Sequence, residues 1–156
     1  MLDTETGKTH LQQLRDMTVV VADTGDLSAI KRLEPVDATT NPSLILKAAQ
    51  QDDTLPLIKE AIAAVDRSGK SEDEVIADAI DRINVSLGVE ILKIVPGRVS
   101  VEVDAKLSFD TEGTVEKARK LVGLFAEAGI GTDRILVKAA ATWEGIRAAE
   151  ILERVV

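Results

Sequence analysis

Hydrophobic residues recur along this chain with two periods that take turns. Val99, Val101 and Val103 alternate with Ser100, Glu102 and Asp104, a period of two that puts an apolar row on one face of a strand and a polar row on the other. Three further segments read as strands. Thr18–Asp23 is an apolar run expected to be buried, Val36–Asn41 is a weaker candidate, and Ile135-Leu136-Val137 leads directly into Lys138. Between them the period changes to that of helices. Leu11, Leu14 and Met17 mark a short first helix. Leu27, Ile30 and Leu33 mark a second, with Asp26 at its N-cap, and Pro42 opens a third running to Gln50. Residues 55 to 92 read as helical throughout in two helices, the first carrying Ile58, Ile62 and Val65 and ending at Gly69. The second starts on the capping-box pair Ser71 and Glu74, with Val75, Ile76, Ala79, Ile80 and Ile83 as its apolar stripe. Asp110 or Thr111 caps a long helix that ends at Gly129, and Thr142 caps a last one.

Strand and helix therefore alternate with short connections, which implies α/β architecture with a parallel sheet and right-handed crossovers. The polar row Ser100, Glu102, Asp104 decides between two such architectures. A doubly wound sheet has helices on both faces and leaves no place for it. A TIM-type (β/α) barrel has an inward face, with active sites at the carboxyl ends of the strands. Asp23, Asn41, Glu102 and Lys138 all fall at or near such ends.

Lys138 is the residue of greatest chemical interest. Taking an ammonium out of water is costly, and a buried lysine usually responds by losing its proton. A neutral amine in an apolar pocket can attack a carbonyl and form a Schiff base. The competing reading is a lysine at a strand end reaching past its neighbours to solvent. The other polar residues also have two readings. Asp23 before Thr24-Gly25 could serve a turn, Asn41 before Pro42 could be a helix N-cap, and Asp104 could pair with a nearby Lys or Arg.

Composition narrows the field. The 156 residues are 45% hydrophobic and 29% charged, enough for one core. With no cysteine and a single histidine, His10, disulfide scaffolds, thiol catalysis, histidine triads and multi-histidine metal sites are excluded. A net charge of -8 argues against a nucleic-acid surface, and no apolar run reaches the length of a membrane span. A cytoplasmic protein is the expectation. Two Phe, one Trp and no Tyr leave the core to Val, Ile, Leu and Ala, which suits parallel strands under helices.

Four stretches resemble the transaldolase family. They are Val20–Asp26, Asp37–Leu46 with its run Ala38-Thr39-Thr40-Asn41-Pro42-Ser43, Pro96–Asp104, and Asp133–Lys138 continuing through Trp143–Glu150. The resemblance runs from about Leu11 and matches the family's N-terminal half in order and spacing. It implies a cofactor-free barrel enzyme of the pentose phosphate pathway acting on sugar phosphates, with a homodimer open to the full-length protein. By resemblance Lys138 is the Schiff-base lysine, Asp23 the general acid/base and Glu102 the residue that positions the catalytic water. Asn41 binds donor hydroxyls and Thr39 lines the pocket floor. Ala141 stands where the family commonly has serine, and Ala139 where a larger aliphatic is usual. A barrel needs eight strands and typically about 250 residues, so residues 1–156 are expected to be an N-terminal half without its C-terminal partner. The family's later strands carry a further asparagine, a serine, a threonine and phosphate-binding arginines. Two other readings stay open: a lysine aldolase cleaving fructose 6-phosphate, and a non-catalytic half-barrel module that assembles through its edges.

Overall fold

The computed structural model describes residues 7–154. Four strands, β1 (Val21–Asp23), β2 (Asp37–Thr39), β3 (Val99–Glu102) and β4 (Ile135–Lys138), pair in parallel and in chain order. Among the described residues seven α-helices precede, join or follow them: α1 (His10–Met17), α2 (Leu27–Leu33), α3 (Pro42–Ala49), α4 (Leu55–Ala63), α5 (Glu72–Leu92), α6 (Thr111–Glu127) and α7 (Trp143–Glu153). This arrangement, four parallel strands in sequence order alternating with helices, is that of half of a (β/α) barrel.

The helix starts follow the side chains that satisfy otherwise unpaired backbone N–H groups. Asp26 accepts from the Ala29 N–H at 2.9 Å, Asn41 from Leu44 at 3.0 Å, Asp110 from Gly113 at 2.9 Å and Thr142 from Gly145 at 3.0 Å. Ser71 and Glu74 complete their capping box. Of the two candidates for the start of α6, Asp110 is the cap.

The helices that pack on the sheet core, α2, α5 and α6, meet the same row of strand residues. Ala22, Ala38, Val99, Val101, Val103 and Ile135 pack against Ile30 of α2, Val85, Ile91 and Leu92 of α5, and Leu121 and Phe125 of α6. Phe125 is fully buried and lies across Gly88 of α5, where a Cβ would come within 2.7 Å of its ring. Removing that ring would cost about 3–5 kcal/mol, since no neighbour can fill the space.

Three expectations are corrected. The β1 run is not buried throughout: Ala22 alone is enclosed, and Val21 is 48% exposed because its side chain points to the face opposite the core row. The helix α4 ends at Ala63, six residues before Gly69, and residues 64–71 form a loop in which Gly69 takes the left-handed conformation. The stripe of α5 is displaced. Ile76 and Ile80 are exposed, whereas Asp81, Asn84, Val85, Leu87, Gly88, Ile91 and Leu92 are buried. Only the C-terminal half of α5 lies over the sheet; Ile80 instead faces a groove shared with Pro42, Ile45 and Leu46 of α3.

Candidate active site

Parallel pairing places residues of like parity on one side of the sheet, and the register extends this across strands. Asp23 is level with Thr39, Thr39 with Ser100, and Glu102 with Lys138. Asp23, Thr39, Glu102 and Lys138 are each the last residue of their strand and by alternation lie on the face opposite the core row, with Glu102 also lining the groove between α3 and α5. Val21 and Leu136 add apolar surface to that face.

Glu102 and Lys138 are brought into contact. The lysine Nζ is 3.2 Å from Glu102 Oε2, with side chains 36% and 33% exposed respectively. The Val103 N–H donates to the Lys138 carbonyl at 3.0 Å, carrying the β3–β4 ladder past the last paired residues. The lysine is therefore neither enclosed in an apolar pocket nor free in solvent. It stands in an ion pair at the rim.

Asp23 is not brought to Lys138. In an open sheet, three spacings of about 4.8 Å separate their strands, so only curvature across the face can shorten that gap. Its carboxylate is exposed, and the adjoining turn is held by its neighbours: Thr24 Oγ1 accepts from the Asp26 N–H at 3.1 Å. Asn41 does act as an N-cap, using its carbonyl oxygen and leaving its amide N–H groups for another acceptor. Thr39 is half-buried on the same face as Asp23. Among the described residues Asp104 pairs with no cation; it accepts from the Lys106 N–H at 2.9 Å and starts a short 3-10 turn. Above these residues, the segments after β3 and β4 present Phe109 and Trp143, 80% and 72% exposed.

Sequence patterning misses a second charged cluster, between α5 and α6. Asp81 is engaged by Lys117 and Lys120, and Asp78 by Lys120 and Lys70. Hydrogen bonds from Lys120 and then Lys70 hold the Asp78 carboxyl down to about 2. Burial works against the charge on Lys120, but its hydrogen bonds to Asp78 and Asp81 outweigh that and push its titration up. Only the spacing of Asp78 and Asp81 along one helix face hinted at this. Two of the partners, Lys117 and Lys120, come from α6, about forty residues later, and Lys70 from the loop before α5. Among the described residues no group of three or more His, Asp or Glu side chains is arranged to hold a metal ion, and no helix is long and apolar enough to cross a membrane.

Four parallel strands in chain order, with a lysine and carboxylates at their carboxyl ends, define a class: part of a (β/α) barrel whose strand ends carry the polar residues. Residues 20–155 match the Transaldolase/Fructose-6-phosphate aldolase family, and the chain belongs to it. It is 61% identical over 146 residues to a transaldolase of Histophilus somni (strain 2336), an alignment covering 94% of this chain and 46% of that protein. Identity to a transaldolase of Haemophilus influenzae (strain Rd) is 60% with the same coverage. For one of Aeromonas salmonicida (strain A449) it is 58% over 144 residues, 92% of this chain and 46% of the relative. The chain thus spans about half the length of the curated relatives it matches.

Proposed function

We propose that residues 1–156 form the N-terminal half of a transaldolase barrel. In this reading the complete protein moves a dihydroxyacetone unit from sedoheptulose 7-phosphate to glyceraldehyde 3-phosphate, giving erythrose 4-phosphate and fructose 6-phosphate, in the cytoplasmic pentose phosphate pathway. The observation that carries this reading is the meeting of Lys138 and Glu102 at adjacent strand ends, on the face that also bears Asp23 and Thr39.

The chemistry follows from those groups. The unprotonated Lys138 amine adds to the donor carbonyl, and loss of water leaves a protonated imine. Asp23 takes the proton of the hydroxyl on the second carbon from the imine carbon, and the bond between that carbon and the one adjoining the imine breaks. Its electron pair enters the imine to give an enamine, and an aldehyde departs. The acceptor aldehyde then adds to the enamine, Asp23 returns the proton, and water positioned by Glu102 hydrolyses the product from the lysine. The N–H groups of the Asn41 amide bind donor hydroxyls, and Thr39 closes the floor.

The test uses the chain continued by the C-terminal half of the Histophilus somni relative. Borohydride reduction in the presence of fructose 6-phosphate should leave a dihydroxyacetone-derived adduct on the peptide containing Lys138. Lys138→Met should abolish it without unfolding the protein. An adduct on a different lysine refutes the assignment.

A further inference from the structure

The segments that follow Glu102 and Lys138 are stitched together in both directions. From the β4 side, Thr142 Oγ1 donates to the Ser108 carbonyl while accepting from Gly145 N–H at the start of α7. From the β3 side, Thr111 Oγ1 donates to the Glu144 carbonyl at 3.1 Å. Each segment is also anchored to the helix it enters. Thr114, 2% exposed, donates to the Leu107 carbonyl at 3.0 Å. The Ala140 carbonyl rests so closely on Gly145 that a Cβ there would lie 1.9 Å from its oxygen. The stretch Ala139–Thr142 therefore has little freedom to shift along α7, and the stretch Ala105–Asp110 little freedom to shift along α6.

We propose that Thr111 and Thr142 are positioning residues: their crossed hydrogen bonds hold the segment from β4 into α7 against the segment from β3 into α6, and so keep Nζ and carboxylate in register. The inference rests on the function proposed above. The argument is one of stiffness. The 3.2 Å pair is partly exposed, and a long lysine and a long glutamate meeting in water gain little from each other. Contact between them is sustained by the backbone that carries them: beyond the ladder, the Thr142–Ser108 bond joins the two loops and the Thr111–Glu144 bond joins the first turns of the helices they enter. A misplaced nucleophile loses rate steeply, because orientation supplies much of the catalytic effect.

Thr111→Val carries the test, since Asp110 caps α6 and Thr111 can lose its hydroxyl without uncapping the helix. In the completed protein, Thr111→Val and Thr142→Val should each lower kcat and the rate of borohydride trapping at Lys138 about threefold to tenfold, the change that one net hydrogen bond represents. KM for fructose 6-phosphate should stay within about twofold of the parent, because both hydroxyls are committed to backbone carbonyls. Thr111→Ser and Thr142→Ser, which keep the donor, should recover most of the rate. If the valine variants melt at lower temperature but trap and turn over at the parent rate while folded, the threonines serve stability alone and the inference is overturned. Absence of any Lys138 adduct in the unsubstituted protein would instead strike the proposed function itself.

Discussion

Between α5 and α6, Asp81 is 6% exposed and holds two ammonium groups, Lys117 at 2.7 Å and Lys120 at 2.6 Å. At the strand ends Lys138 and Glu102 meet singly, at 3.2 Å, with about a third of each side chain open. The same two groups, ammonium and carboxylate, meet in different surroundings. In the first cluster the carboxylate is out of water, so its charge requires partners and the partners fix how α5 lies on α6. In the second, desolvation is incomplete and mutual attraction is weak, so the pair adds little to stability, and the function proposed above needs its lysine unencumbered. A fully satisfied cation makes a poor nucleophile and a good strut.

The largest difference between the two regions should appear on replacing the strand-end lysine. Lys138→Met should reduce transfer by the completed protein to background while changing the unfolding free energy by no more than about 1 kcal/mol, as read from urea denaturation. A large loss of stability would mean that the pair is structural. Transfer by residues 1–156 alone should be at background too. With the strand-end face open to water and no second half to anchor the substrate, orientation worth on the order of 7–11 kcal/mol is missing. Assaying the isolated chain with fructose 6-phosphate and erythrose 4-phosphate settles this, and enzymatic turnover would remove the basis of the comparison.

Asp81→Ala should behave in the reverse sense. It removes the buried member of the clamp and should destabilise the chain by about 3 kcal/mol, the low end for a broken buried pair, because Lys117 and Lys120 keep some access to water. In the completed protein, measured below its melting temperature, transfer should remain near the parent rate.

The smallest effect is a pH dependence. Asp78 titrates at about 2 in the folded chain against a reference value of 3.8. A depressed carboxylate stabilises the folded state above its unfolded value and loses that contribution as protons bind the native form. Thermal stability should therefore decline between about pH 4 and pH 2, and Asp78→Asn should flatten that part of the curve. Unchanged slopes in the variant would show that other carboxylates carry the acid response.

Local rules made much of this architecture readable in advance. The alternation at Val99–Asp104 reported both the strand and the difference between its faces, because a period of two admits few alternatives. Asp26, Asn41, Ser71, Asp110 and Thr142 marked helix starts that the hydrogen bonds reproduce. What escaped was set by distant partners. The apolar Ile76 and Ile80 looked like core, yet the burial of α5 depends on where the sheet ends beneath it and on Lys117 and Lys120 arriving from α6 to neutralise Asp81. The strand-end polar residues could be named from position. The contact between Glu102 and Lys138 could not, since it depends on the β3–β4 register, and Thr142 was legible as a cap but not as a link between loops.

Trp143 has a practical consequence. It is the sole tryptophan of a chain that contains no tyrosine, and it stands 72% exposed at the first turn of α7, five residues beyond Lys138. Near-ultraviolet fluorescence from this chain thus comes from one indole, seated on the loop system that bears the lysine. Any covering of that rim, whether by a sugar phosphate or by the remainder of a barrel, would register as a change in emission colour and quenching, with no label attached.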